Sequence, residues 1–310
     1  MKIGVVFPGQ GCQWVGMGKE LSSQFAEARA VFDAADDALG EKLSRLCFEG
    51  PEEALRLTAN TQPAVLAVSI AAQAVFAART PAPVCAAGHS LGEYSALVAA
   101  GALPLAAALR TVRERGRFMQ EAVPPGEGAM AAVLGLAAEA VKQVCDRVAQ
   151  GRVLAPANYN APGQTVIAGH ADAVERATSA MQQAGAKRVI RLEVSAPFHC
   201  ALMEPVKPRL AEVLREISFA KPRYPVVTNV EATPNSDPAR IPWLLLEQVR
   251  QPVRWVECVE EMRRQGVTHF VELGPGKVLR GLIKHICRDS EALGVEDGAS
   301  LSKALQAVGG

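Results

Sequence analysis

The run Ile3-Gly4-Val5-Val6-Phe7, closed at once by Pro8-Gly9, constrains the fold more than any other stretch of the chain. A short, nearly continuous apolar run stopped by a breaker pair fits a strand buried on both faces, and such strands sit in parallel sheets covered by helices. A glycine-rich loop, Gly9-Gln10-Gly11-Cys12-Gln13, follows it. Asn60 to Ala78 reads as a helix with a polar start, Pro63 in its first turn and apolar residues on nearly every side, so it belongs in the interior. Val84 to Ala87 is a second short strand with Ser90 at its end, and Leu91 to Ala100 is a helix stopped by Gly101. Pro225 to Val230 and Thr268 to Leu273 are further core strands, separated by helical segments around Trp243 to Val249 and Val256 to Arg264. These elements predict a parallel α/β body.

The middle of the chain has its own order. After Pro124-Pro125-Gly126 come a strand Ala129 to Leu134, a helix Ala138 to Ala149 and a strand Arg152 to Asn158. A turn at Ala161-Pro162-Gly163 then leads to a strand Thr165 to Ala168, a helix Asp172 to Gln183 and a strand Arg188 to Val194. That succession, β-α-β-β-α-β, is the split ferredoxin-like unit. The expected fold is α/β, with a hydrolase-like parallel-sheet large subdomain (1–125 and 196–310) carrying an inserted ferredoxin-like small subdomain (126–195). A length of 310 residues suits one large domain with an insertion.

Charge and cysteine usage exclude several functions. Lys and Arg number 33 against 32 Asp and Glu, so the chain lacks the basic excess of a general nucleic-acid or anionic-membrane binder. Seven cysteines lie far apart with no CxxC pair, which gives neither a zinc site nor a disulfide framework and predicts reduced, packed thiols. No metal is expected. The N-terminus has no signal-peptide pattern, and no run reaches the roughly 18 apolar residues of a membrane span. The expected location is cytoplasmic.

Gly88-His89-Ser90-Leu91-Gly92 is a GxSxG between a strand and a helix. The glycines let the chain turn sharply, which presents the serine hydroxyl at the sheet edge with the next backbone N–H aimed at the same spot. A bare GxSxG is a weak signal, since an ordinary turn serine gives the same letters; the strand before and helix after carry the argument. A serine also needs a base within reach. Among five histidines, His89 adjoins the serine but points away on a tight turn, His170 follows an insert strand, and His269 and His285 read as core or surface residues. His199, after Ser195-Ala196-Pro197-Phe198 at the end of a strand, is the best base by elimination, because loops at the sheet edge gather active-site groups.

Several blocks together resemble one family. Phe7-Pro8-Gly9-Gln10-Gly11, Gly88-His89-Ser90-Leu91-Gly92-Glu93-Tyr94, Arg115-Gly116-Arg117-Phe118-Met119-Gln120, Asn158-Tyr159-Asn160-Ala161-Pro162-Gly163-Gln164, Ala196-Pro197-Phe198-His199 and Glu272-Leu273-Gly274-Pro275-Gly276 are similar to the malonyl-CoA:carrier-protein transacylases of fatty-acid and polyketide synthesis. They occur in family order and span nearly the whole chain. The resemblance implies Ser90 as nucleophile, His199 as general base, a backbone carbonyl near Gln248 orienting the imidazole, and an oxyanion hole of the Gln10 and Leu91 amides. It places Arg115 on the malonyl carboxylate, with Met119, Phe198 and Val194 as walls of the acyl pocket. A guanidinium fork matches a carboxylate bidentately, as a lysine does not. No bound cofactor is implied: malonyl-CoA is the substrate, and the phosphopantetheine arm arrives on the partner, an acyl carrier protein.

The sequence departs from the family at Cys12, where serine is usual, and shares Trp14 with many polyketide-synthase acyltransferase domains. Phe198, where some relatives carry serine, favours malonyl over methylmalonyl by occlusion. Alternatives are an acyltransferase for another acyl-CoA, a serine esterase, which would need an acidic partner for its histidine, and a non-catalytic carrier-docking module. Lys277, Arg280, Lys284 and Arg288 recur on about one helical face; they are either a contact for an acidic carrier protein or a solvated surface.

Overall fold

The computed structural model describes residues 1–194 and 196–309. Its strands are β1 (Ile3–Phe7), β2 (Cys85–Gly88), β3 (Gly128–Leu134), β4 (Leu154–Ala161), β5 (Gln164–His170), β6 (Arg188–Arg191), β7 (Val226–Val227), β8 (Pro234–Asn235), β9 (His269–Leu273) and β10 (Glu291–Val295). One sheet runs β10-β9-β1-β2-β7-β8, parallel except for the short edge strand β8. β1 lies in its interior with all five residues buried, which is why its sequence is apolar without alternation. The second sheet is antiparallel in the order β4-β5-β3-β6, flanked by the helices Ala138–Val148 and Ala171–Gln183, as in ferredoxin-like units. This sheet is inserted between β2 and β7 of the first. The expected boundary at 195 falls on Ser195, outside the described residues.

The helix Thr58–Ala77 packs against the helices Ala26–Leu39 and Leu105–Glu121 and is buried along most of its length. It begins two residues before Asn60, so Pro63 falls in the second turn, where its ring removes the N–H that would bond the Ala59 carbonyl. Other expectations shift at their edges. β4 runs to Ala161, leaving a two-residue turn at Pro162-Gly163, and β6 stops at Arg191 rather than Val194. The strand expected over Pro225 to Val230 is only Val226–Val227. No helix among the described residues is long and apolar enough to cross a membrane.

The turn after β2 depends on two glycines. An added Cβ on Gly92 would lie 2.0 Å from the Phe7 carbonyl oxygen, and one on Gly88 would lie 1.9 Å from the Gly92 backbone. The first turn of the helix Leu91–Ala99 is therefore wedged against the end of β1. Gly92→Ala should destabilise the protein by about 1–3 kcal/mol, the usual cost of overpacking an interior. Urea unfolding measures it, and a wild-type midpoint would show that this approach is not close-packed.

Candidate active site

Ser90 stands between β2 and the helix Leu91–Ala99 with φ 53° and ψ −107°, a conformation that side-chain-bearing residues rarely adopt. Hydrogen bonds from distant segments hold it there. The Ser90 N–H donates to Asn229 Oδ1 at 2.7 Å, while Asn229 Nδ2 donates to the Gly88 carbonyl at 2.7 Å. Gln248 Nε2 donates to the Ser90 carbonyl at 3.0 Å. Such a turn lifts the hydroxyl out of the sheet edge into a cavity of about 470 Å³.

His199 reaches the same hydroxyl from another loop. Its Nε2 lies 2.7 Å from Ser90 Oγ, and its Nδ1 lies 2.8 Å from the Gln248 main-chain carbonyl. A carbonyl only accepts, so Nδ1 carries the hydrogen and Nε2 is left to accept from the serine. Among the described residues no carboxylate bonds to this imidazole. Burial, and then the positive charge of Arg115, push the His199 pKa down to about 3, against a smaller opposing effect of the Gln248 carbonyl. The ring is therefore neutral near pH 7.

Arg115 projects from the helix Leu105–Glu121 and is only 1% exposed. Its Nη1 donates to Gln62 Oε1 at 2.8 Å, and its Nη2 donates to Ser90 Oγ at 3.1 Å and to Gln248 Oε1 at 2.9 Å. Nε–H is buried without a partner. The Tyr94 ring lies 5.5 Å from the guanidinium carbon. Thus a cation with unused donor capacity sits one hydrogen bond from the serine. Met119, Val194 and Phe198 line the cavity beside it, as do Gln10 and Leu91. Neither the Gln10 nor the Leu91 amide N–H donates to an acceptor among the described residues, so both remain open to a ligand oxygen.

The remaining histidines are engaged elsewhere. His89 Nε2 pairs with Asn160 Oδ1 at 2.8 Å and its ring lies 5.7 Å from that of Trp255, tying the turn to β4. His170 accepts from the Val153 amide at 3.0 Å, His269 lies 3.4 Å from Glu291, and His285 bonds the Gly281 carbonyl at 2.7 Å. All seven cysteines are free and buried. Cys12 Sγ donates to the Gly9 carbonyl at 3.0 Å, and burial raises its pKa far above the ordinary thiol range. Arg280 departs from the expected basic face: its side chain turns toward Glu272 (3.4 Å), Glu296 (3.5 Å) and the Gly276 carbonyl (3.1 Å). Lys277, Lys284 and Arg288 remain exposed.

Sequence reasoning passed over Gln62, Asn229 and the side chain of Gln248, and assigned no role to Glu93. Each is a polar residue in an otherwise buried apolar segment, which was the available signal. Glu93 is 2% exposed and accepts from the Asn229 amide at 2.9 Å and from Gln248 Nε2 at 2.8 Å. Burial pushes its carboxyl up to about 7, opposed by those two donors and by Arg115.

A strained serine beside a neutral histidine, with two unused amide N–H groups at the same cavity, is an arrangement that suits acyl-group chemistry. The acyl transferase domain family matches residues 5–302. The malonyl CoA-acyl carrier protein transacylase of Bacillus subtilis is 50% identical over 308 residues, covering 99% of this chain and 97% of that protein. The protein of the same name from Escherichia coli K12 is 47% identical over 302 residues, covering 97% and 98%. Among solved structures, a malonyl-transacylase in complex with a type II polyketide-synthase acyl carrier protein superposes with a TM-score of 0.97 at 47% identity, covering 99% of this chain and all of that one (100%). The malonyl CoA-acyl carrier protein transacylase from Coxiella burnetii gives 0.97 at 42% identity, covering 99% and 98%. The chain belongs to the acyl transferase domain family, on its malonyl-CoA–acyl carrier protein transacylase branch.

Proposed function

We propose that this enzyme moves a malonyl group from malonyl-CoA to the phosphopantetheine thiol of an acyl carrier protein, through a malonyl ester on Ser90. The observation that carries the reading is the buried Arg115 guanidinium 3.1 Å from Ser90 Oγ on the wall of the cavity, where an acyl chain ending in a carboxylate would meet it. The names and carrier-bound state of the relatives support the same donor and acceptor.

In the first half-reaction Ser90 Oγ attacks the thioester carbon while His199 Nε2 takes the hydroxyl proton. The oxyanion is held by the Gln10 and Leu91 amides; the C–S bond then breaks and His199 returns the proton to the leaving CoA thiolate. The carrier thiol reverses the sequence, giving malonyl-carrier and free Ser90. No cofactor of the enzyme's own enters this ping-pong scheme. The main-chain partner of His199 performs the orienting task that an acid performs in hydrolase triads. Incubation with malonyl-CoA and purified carrier protein should give malonyl-carrier as the main product. Release of free malonate at the same rate with and without carrier would make the enzyme a hydrolase.

The depressed His199 pKa sets a pH expectation. A base that must be neutral stays competent down to its own pKa, so the acid limb of kcat/KM should fall well below the ordinary imidazole value of about 6.5. Malonyl binding offsets the Arg115 charge, one cause of the depression, so the limb of kcat should lie at higher pH than that of kcat/KM. A single limb at the ordinary value in both profiles would contradict the buried, cation-facing imidazole. The same shift works on stability: with the folded pKa below the unfolded one, its contribution is present above pH of about 6.5 and is lost as pH falls toward the folded value.

A further inference from the structure

Arg115 is a buried cation whose hydrogen bonds all go to neutral oxygens, those of Gln62, Ser90 and Gln248. It makes no direct ion pair among the described residues, although an uncompensated buried charge is costly. The acidic groups acting on it are Tyr94 and Glu93; Tyr94 is pushed up to about 12 and stays neutral, which leaves Glu93 as the carboxylate, with the Gln248 carboxamide between it and the guanidinium. Gln248 Oε1 accepts from Arg115 Nη2 at 2.9 Å, and Nε2 donates to Glu93 Oε2 at 2.8 Å. Nε2 also meets the Ser90 carbonyl at 3.0 Å and Asn229 Oδ1 at 3.3 Å. With acceptors on one side and a guanidinium on the other, only one orientation of this amide is satisfied. Reversed, it would set oxygen against carboxylate and N–H against N–H.

We propose that Glu93 is the remote counter-ion of Arg115, a positioning residue that acts through the Gln248 carboxamide to set how strongly the guanidinium holds the acyl carboxylate. The inference rests on the reading of Arg115 as the malonyl-binding group. A direct carboxylate–guanidinium pair would occupy the donor fork and neutralise it. Interposing a carboxamide leaves the Arg115 Nε–H unused, compensates the cation, and opposes an incoming carboxylate from longer range. Removing the Glu93 charge therefore strengthens the hold on malonyl and leaves acetyl untouched.

The groups facing Glu93 do not titrate near neutrality. Tyr94 is pushed up to about 12 and the Cys258 thiol well above its ordinary value, while His199 is held at about 3 and His89 is also lowered by burial. Burial lowers the Arg115 pKa, but an arginine guanidinium is not deprotonated in proteins. The test compares kcat and KM for malonyl-CoA and acetyl-CoA in wild type, Glu93→Gln, Arg115→Ala and the double variant at pH of about 8.5, where Glu93 is ionised. Glu93→Gln should lower the malonyl-CoA KM roughly tenfold, leave the acetyl-CoA KM in place, and have no effect on the malonyl-to-acetyl ratio once Arg115 is alanine. Equal changes for both substrates, or an effect that survives Arg115→Ala, would overturn the proposal. If Arg115→Ala shifts the ratio and Glu93→Gln does not, only the counter-ion role falls; if Arg115→Ala leaves the ratio unchanged, both fall. Should Glu93→Gln not fold, acid neutralises the same group in the wild type. The malonyl-CoA KM should then drop as pH falls from about 8.5 to about 6 with acetyl-CoA flat, and a flat malonyl KM overturns the idea. Glu272, also pushed up to about 7, faces Arg280 and the Leu279 and Arg280 amides, and Glu272→Gln controls for it.

Discussion

Ser90→Ala is expected to take up no malonyl group from malonyl-CoA, against one per chain in the wild type, mapped by mass spectrometry to the peptide that contains Ser90. The thiols are poor competitors for the acyl group. The thiols are buried, and burial pushes Cys47, Cys85 and Cys145 up to about 12 and Cys200 to about 11, so the reactive thiolate is scarce near pH 7. Cys12, close to the site, is held higher still and is bonded to the Gly9 carbonyl. The variant should fold, because among the described residues the Ser90 hydroxyl bonds His199 and Arg115 alone, and the turn is held by main-chain contacts to Asn229 and Gln248. An adduct on Cys12 or Cys200, or one that persists in the variant, would sink the serine ester.

The parts of the fold legible in the sequence are those whose cause is local. β1 announces itself because a strand covered on both faces must be apolar throughout, and the Ser90 turn does so because only glycine fits where Gly88 and Gly92 approach other backbone. The strand β10 does not: Glu291-Ala292-Leu293-Gly294-Val295 starts on an exposed glutamate and carries Ala292 and Gly294, so no continuous apolar run marks it. The same division runs through the site. Ser90, His199 and Arg115 stand in recognisable blocks. The groups that hold them do not, because each acts across the fold: Asn229 meets Ser90 from 139 residues away, and Gln248 meets Glu93 from 155. A single asparagine or glutamine in an apolar segment signals a buried bond but not its partner, which the topology of the sheet decides.

Among the described residues no acid bonds to the histidine of this serine–histidine pair. In a hydrolase the carboxylate that orients the histidine also favours its charged form, so the imidazolium formed during attack is stabilised. Here the main-chain carbonyl of Gln248 orients the ring and carries no charge, while the cation beside it disfavours protonation. The imidazolium becomes easier to form when an anion enters the pocket. On the proposed reading, a malonyl carboxylate on Arg115 would be such an anion, and the substrate itself would complete the electrostatics of the base.

Arg115→Ala tests this dependence most directly, because it separates acyl selection from acyl chemistry. The guanidinium makes three hydrogen bonds and keeps donor capacity in reserve, including a buried Nε–H without a partner among the described residues. A malonyl carboxylate would draw on that reserve; an acetyl group would leave the cation as it is. Breaking a buried charge pair costs about 3–5 kcal/mol, so kcat/KM for malonyl-CoA should fall roughly 10²–10⁴-fold in the variant. Acetyl-CoA turnover should hold or rise, because Ser90, His199 and the two amides stay in place, although Gln62 Oε1 and Gln248 Oε1 each lose a donor. A second readout guards against a merely structural loss. Arg115 is one of the causes that lower the His199 pKa, so the acid limb of acetyl transfer should move toward the ordinary imidazole value in the variant. Equal losses for both thioesters with an unmoved pH profile would mean that Arg115 supports the fold around Ser90 and does not select the acyl group.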